Sequence, residues 1–195
     1  MKQVHTSFPV METERLRLRK IEVQDAENML TYLQDPDVME YYGLPPFVST
    51  EQVLDEIAWY NKIFTQQMGI RWGITLKDED KIIGSLGFLN WVPMHHRVDI
   101  GYELNQEYWG KGIASEALQA VLAYGFETME LERVQALIEP ANLASIHLVE
   151  KHGFLREGLL RNYEFGNGKF DDLLMYAILK EDFLASSKWK SYSIK

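Results

Sequence analysis

The chain has no cysteine among its 195 residues. That absence excludes a disulfide framework, a thiolate nucleophile and any cysteine-ligated metal site. No apolar run approaches the roughly 20 residues that a membrane-spanning helix needs. The opening residues MKQVHTSFPV contain no apolar stretch of the kind that directs secretion, so the cytoplasm is the expected compartment and no membrane partner is expected. Lys and Arg are scarce beside Asp and Glu, 20 against 29, which gives a formal net charge of −9. Nucleic-acid binding needs clustered cations to replace counterions, so no nucleic-acid partner is expected. An acidic chain suits a cationic partner, and the same charge also serves plain solubility.

Hydrophobic residues make up 46% of the chain and charged residues 25%, the balance of a folded protein. One domain over residues 1–195 is expected, with its core at about 10–182 and a polar C-terminal tail, SSKWKSYSIK. The segment RLRLRKI, Arg15 to Ile21, alternates at a period of two and reads as a half-exposed strand with its arginines on one face. Ala26, Met29, Leu30 and Leu33 recur at helical spacing until Asp35-Pro36 stops the helix. Beyond the aromatic, proline-stiffened loop YYGLPPFVS, Ser49 or Thr50 caps a second helix that buries Val53, Leu54, Ile57, Ala58 and Tyr60.

RWGITL and KIIGSLGFLNWV, joined by KDED, read as a hairpin, and RVDIGYELN is a further strand. A helix from Ile113 to Met129 places Ala117, Leu118, Val121, Leu122, Ala123 and Phe126 on an apolar face. RVQALIEP is the next strand, followed by a short helix that Asn142 opens and Gly153 ends. FLREGLLRNYEF and KFDDLLMYAIL close the chain around Gly166-Asn167-Gly168. The order predicts an α+β fold with a mixed, mostly antiparallel sheet of about seven strands flanked by about four helices.

The stretch YWGKGIASEAL, Tyr108 to Leu118, sets two glycines around Lys111 and runs directly into helix formers. It is not a Walker A sequence, and Ser115 occupies the place where a dinucleotide fingerprint needs its third glycine. The N–H groups of Gly110 to Ala114 nevertheless stand at a positive helix end, a geometry suited to a pyrophosphate.

With this loop, TERLRLR near the start, VDIGYELNQEYWGKGIASEAL, PANLASIHLVEKHGFLREGLLR and the closing DLLMYAIL, the chain resembles the GNAT N-acetyltransferases over roughly residues 10–182. Within that family it is similar to the ribosomal-protein-alanine N-acetyltransferase branch. The resemblance implies transfer of acetyl from acetyl-coenzyme A, without a metal, to a primary amine: a protein N-terminus, a polyamine or an aminoglycoside. A silent acyl-coenzyme A sensor is the reading from another class. The family's pyrophosphate loop falls on Trp109, Gly110, Lys111, Gly112, Ile113 and Ala114, with Trp109 in place of the usual Gln or Arg. A splay between the fourth and fifth strands is implied, where the pantetheine arm pairs with backbone groups at Tyr102, Glu103 and Leu104.

Two departures bear on the chemistry. Val149 stands where relatives carry a tyrosine acid, which leaves Ser145 as the nearest hydroxyl or as an ordinary helix serine, one turn after Asn142. Asn142 caps its helix or bonds the pantetheine. Leu137 replaces the glutamate base of some relatives; the remaining candidates are Asp99 and Glu103 on one strand face, Glu139, Asp172 and a water chain. Asp172 has a second reading as the partner of Arg161, and His95 and His96 read as a polar turn rather than a metal site. Tyr41, Tyr42 and Phe47, with Pro45 and Pro46, are the implied acceptor wall or a lid on the core, and a homodimer is left open.

Overall fold

Alternation at period two decides which face each strand residue serves. On the strand Ile70–Leu76, Ile70, Trp72 and Ile74 enter one apolar core while Arg71 faces the opposite side of the sheet. The computed structural model describes residues 7–166 and 168–185 and the backbone of Ser193 and Ile194. Asn167 of the expected closing turn, and the rest of the tail SSKWKSYSIK, lie outside the described residues.

In chain order the elements are β1 (Met11–Glu12), β2 (Leu16–Arg19), α1 (Ala26–Leu33), α2 (Pro36–Met39), α3 (Thr50–Thr65), β3 (Ile70–Leu76), β4 (Glu79–Val92) and β5 (Arg97–Leu104). Then follow α4 (Ile113–Glu127), β6 (Arg133–Ile138), α5 (Leu143–Lys151), β7 (Leu155–Gly166), β8 (Lys169–Leu179), α6 (Lys180–Ala185) and β9 (Ser193–Ile194). The strands make one sheet in the order β7-β8-β6-β5-β4-β3-β2-β1-β9. The expected seven strands and four helices are all present. The additions are short: two-residue β1 and β9, four-residue α2 and six-residue α6, each too brief to leave a periodic signal.

Asp35-Pro36 does not simply stop the first helix. The Asp35 carboxylate accepts from the backbone N–H of Asp37 at 2.9 Å and Pro36 starts α2, the position proline tolerates. On α3 the buried stripe is Val53, Ile57, Tyr60 and Ile63, while Leu54 and Ala58, expected inside, face outward because the helix lies on the sheet by one narrow face. The α4 stripe is buried as expected.

Helices α1 and α3 cover one face of the sheet over a smaller core built on Met29, Leu33, Phe47, Val53 and Ile57. Helix α4 packs on the other face over the larger core, in which Trp72 meets Phe88 and Tyr124 edge to face. Neighbouring strands are antiparallel except β5 and β6. This parallel pair holds only at Arg97↔Arg133, Val98↔Val134 and Asp99↔Gln135, although β5 continues to Leu104 and β6 to Ile138. Past Asp99 the two strands part, and the wedge they leave is the splay expected between the fourth and fifth strands. No helix among the described residues is long and apolar enough to cross a membrane.

Candidate functional site

Three features meet around the free half of β5: a glycine turn, a hydroxyl pair and an aromatic pocket. The turn begins where Gln106–Tyr108 form one 3-10 turn and Trp109 follows in extended backbone, its indole N–H donating to the Leu104 carbonyl at 2.7 Å. Gly110 and Gly112 take φ of +71° and +76°, which a side chain resists by roughly 1–2 kcal/mol. A Cβ on Gly110 would meet no atom within 4 Å, so conformation and not internal crowding demands glycine there. Gly112 is the N-cap of α4, and the helix's first backbone bond runs from the Glu116 N–H to the Gly112 carbonyl at 3.0 Å. The N–H groups of the first helical turn, Ile113 to Ser115, stand ahead of that bond without an intrahelical acceptor.

Arg15 braces this turn from the sheet. Its Nη1 donates to the Lys111 carbonyl at 2.9 Å and its Nε to Glu116 at 2.6 Å. Burial opposes the Glu116 charge, yet the hydrogen bonds from Thr13 and Arg15 hold its carboxyl below the ordinary range. Lys111 extends its ammonium over the Tyr108 ring, 5.4 Å from the centroid.

Across the wedge, α5 meets β5. Asn142 caps α5 by accepting from the Ser145 N–H at 3.0 Å, which places Ser145 on the first turn with its Oγ 2.5 Å from the Tyr102 hydroxyl. Val149 is fully buried in the core. Burial pushes the Tyr102 hydroxyl up to about 12, against the lowering effect of its bond to Ser145. The chain therefore keeps a phenol at the wedge, supplied by the strand rather than by the helix. Sequence reasoning gave Tyr102 only a backbone role; a period-two count along RVDIGYELN was the available signal, because it sets Tyr102 on the face opposite Glu103.

On the other face, a pocket of about 460 Å³ is lined by Tyr41, Tyr42 and Leu44 from the α2–α3 loop, Glu56, Trp59 and Tyr60 from α3, and Arg71, Leu89, Gly101 and Tyr102 from the sheet. The Tyr42 hydroxyl donates to Glu56 at 2.9 Å and lies 3.0 Å from the Tyr60 hydroxyl. The Tyr60 ring covers the Arg71 guanidinium at 5.7 Å. Burial pushes the Tyr42 and Tyr60 hydroxyls up, so both stay neutral. Glu56 has no ion-pair partner among the described residues. The apolar stripe of α3 does not single out Glu56, Trp59 and Tyr60 as pocket residues, although Glu56 and Tyr60 stand four apart and share a helix face, and Arg71 on β3 carries no local signal that it turns toward the pocket.

The structure brings Tyr41 and Tyr42 to this pocket and leaves Phe47 in the α1–α3 core, 6% exposed. Glu103 is buried with its carboxylate between the Arg71 guanidinium and the Ser85 hydroxyl, the latter at 2.5 Å. Burial pushes the Glu103 carboxyl up, against the pull of Arg71 and Ser85. Asp99 lies at the root of the wedge, where it accepts from Asn90 at 2.8 Å and Gln135 at 2.6 Å. Asn90 reaches it from the β4 bulge at positive φ. Asp172 is not paired with Arg161: it accepts the Asn162 backbone N–H at 2.8 Å, because the hairpin's irregular register brings that N–H to it. Among the described residues no three His, Cys, Asp or Glu side chains gather as a metal site.

Residues 15–155 match the family model described as an acetyltransferase (GNAT) domain. The chain is 40% identical over 171 residues to the uncharacterized N-acetyltransferase p20 of Bacillus licheniformis, covering 88% of this chain and 96% of that one. It is 32% identical over 133 residues to the ribosomal-protein-serine acetyltransferase of Escherichia coli K12, covering 68% and 74%. Among solved structures, the spermidine N-acetyltransferase of Vibrio cholerae in complex with CoA and spermine superposes with a TM-score of 0.76 at 25% identity, covering 88% of this chain and 99% of that one. With its single splayed parallel pair and its glycine-led α4, the chain belongs to the GNAT family and is an acetyl-CoA-dependent N-acetyltransferase.

Proposed function

We propose that this enzyme, in the cytoplasm, moves acetyl from acetyl-CoA on the 109–114 turn and the β5–β6 wedge to a primary amine held in the pocket of Tyr41, Tyr42 and Glu56. The observation that carries the reading is Glu56, a carboxylate without an ion-pair partner among the described residues, set among aromatic rings in a pocket whose floor is Gly101 and Tyr102. An ammonium is drawn to both the carboxylate and the ring faces. In this reading the wall role falls to Tyr41 and Tyr42, and Phe47 supports it from the core.

The steps balance. The amine nitrogen, once it has given a proton to Glu56 or to water, attacks the thioester carbon, whose oxygen is polarised by a free β5 N–H in the stretch Tyr102 to Leu104. The C–S bond then breaks, and the departing thiolate takes the Tyr102 proton. As the tetrahedral intermediate collapses the nitrogen loses its second proton, which restores Tyr102 through Ser145, while the first proton, taken by Glu56 or water, leaves to solvent. With its pKa at about 12, Tyr102 is fully protonated at neutral pH and always a donor, and poorly polar surroundings raise the proton affinity of a thiolate as well. Asn142 holds Ser145 for this role, and Asp99 with Gln135 fixes the point where the strands part.

The test is a thermal-shift titration with acetyl-CoA, then a free-thiol assay against peptide N-termini, polyamines and aminoglycosides. Acetyl-CoA that binds the folded state raises the midpoint by mass action. Glu56→Gln is expected to lower kcat/KM for the preferred amine about tenfold, the scale of a hydrogen bond to a charge, with the acetyl-CoA shift retained. Unchanged kcat/KM places the amine elsewhere, and a shift without thiol release on any amine points to an acyl-CoA sensor.

A further inference from the structure

Arg71 lines the pocket although its side chain is only 4% exposed. Two of its nitrogens are committed: Nε donates to the Ser85 hydroxyl at 2.8 Å and Nη2 to Glu103. Ser85 in turn donates to Glu103 at 2.5 Å, which closes a buried triangle. The third nitrogen, Nη1, has no hydrogen-bond partner among the described residues and lies 3.2 Å from where a Cβ on Gly101 would stand. A guanidinium is planar, so two fixed corners fix the direction of the third. Glycine at 101 keeps the space in front of that corner open to the pocket. From Arg71 an unbroken path of contacts leads through the Tyr60 ring and the Tyr42 hydroxyl to Glu56.

Resting on the amine-transfer reading above, we infer that Arg71 Nη1 is a specificity-determining donor that holds a neutral carbonyl oxygen of the acceptor while Glu56 holds its ammonium. Charge counting selects the carbonyl. Arg71 and Glu103 cancel as an ion pair, so the pocket presents Glu56 alone, and one ammonium balances it. An α-amino amide, the unit found at a peptide N-terminus, offers one ammonium for Glu56 and one neutral carbonyl for Nη1 with a single positive charge. A free amino acid adds a carboxylate that leaves the pocket with net negative charge. A fully protonated polyamine carries surplus positive charge and has no acceptor atom for Nη1, which leaves a buried donor unpaired when it binds.

The experiment compares wild type with Arg71→Lys on L-alaninamide, 2-aminobutane, which has the same shape without the carbonyl, free L-alanine and spermidine, with kcat/KM read from free thiol. The intrinsic reactivity difference between the two model amines cancels when their ratio is compared between proteins. The expected result is that the alaninamide-to-aminobutane ratio falls roughly ten- to a hundredfold in Arg71→Lys, as for loss of a hydrogen bond to a charged group, and that wild type acts on alaninamide better than on alanine or spermidine. If Arg71→Lys does not fold, Gly101→Ala answers the same question by placing a methyl 3.2 Å from Nη1 while Arg71, Ser85 and Glu103 are all retained, and the ratio is expected to fall there too. An unchanged ratio, or wild type acting on spermidine as well as on alaninamide, overturns the inference and leaves amine transfer standing. Absence of thiol release from every acceptor removes the amine-transfer reading and this inference with it.

Discussion

The two faces of the sheet build their halves of the proposed site from different materials. On the α4 side the turn at 109–114 works through backbone: two glycines at positive φ, a helix start, and side chains such as Arg15 that brace the turn from behind. On the α1–α3 side the pocket is lined by side chains, and beneath its floor lies an ion pair buried in the sheet. A backbone site depends on conformation, so in the proposed reading it accommodates Trp109 where the family pattern has Gln or Arg. A side-chain site depends on particular residues, and the proposal puts acceptor choice there.

The largest expected effect breaks the side-chain half at its base. Glu103→Leu strands the Arg71 cation in a buried position, which costs about 3–5 kcal/mol, read as a lower midpoint in urea denaturation. Adding Arg71→Met is expected to recover most of that loss, because apolar replacement of a whole buried pair is often neutral. Glu103→Gln separates structure from chemistry. If Glu103 were the base, this variant would keep its carbonyl contact to Arg71 and lose all turnover; with Glu56 as the amine's partner, turnover falls only as far as Arg71 is displaced.

The same contrast explains what was readable in the chain. The glycine turn was legible because it is local: Gly110, Lys111, Gly112 and the helix formers after them are contiguous, and positive φ has a residue signature. The splay was legible only through the family resemblance, since no residue in RVDIGYELN announces where pairing with RVQALIEP will stop. The pocket was legible in part. Tyr41 and Tyr42 stood out as aromatic residues in a loop, but Arg71 and Glu103 are 32 positions apart and meet only because β3 and β5 both flank β4. A period-two reading treats Glu103 as a solvated carboxylate; only the sheet order and the cover of α1 and α3 show it to be buried. Tyr102 and Ser145 are likewise 43 positions apart, joined by the fold alone.

The second prediction tests whether the wedge uses that joined pair. Tyr102→Phe is expected to lower kcat about a hundredfold, the low end of general-acid catalysis, with acetyl-CoA affinity unchanged by calorimetry. Ser145→Ala is expected to cost less, because the phenol remains. The sign of the pH dependence follows from the raised pKa. Since the folded value of about 12 lies above the ordinary tyrosine value of about 10, the neutral hydroxyl contributes stability that is full below the unfolded value and is lost as pH rises toward the folded one. An alkaline fall in kcat with an apparent pKa at or below the ordinary tyrosine value, absent in Tyr102→Phe, would assign the donor a pKa that this environment does not give it.

The smallest expected effect probes the backbone half. At Gly110 a Cβ would meet no atom within 4 Å, so the side chain of Gly110→Asp starts in open space, and Asp is among the few residues that visit φ near the observed +71°. Folding stability should fall by no more than roughly 1–2 kcal/mol. The carboxylate, however, stands beside the N–H groups assigned to a pyrophosphate, and like charge there should weaken acetyl-CoA about tenfold by calorimetry, an order-of-magnitude figure for one charge at a helix start. Gly110→Asn has nearly the same shape without the charge and is expected to keep most of the affinity. Raising the salt concentration should narrow the gap between Asp and Asn, because an exposed charge is screened within a few ångströms at about 1 M. Equal weakening by Asp and Asn would mean that close approach rather than charge sets affinity at this turn. In either variant the preference of the enzyme for alaninamide over 2-aminobutane should stay where it is in wild type. A preference that moves with Gly110 would show that the two faces of the sheet are coupled through β5, the strand they share.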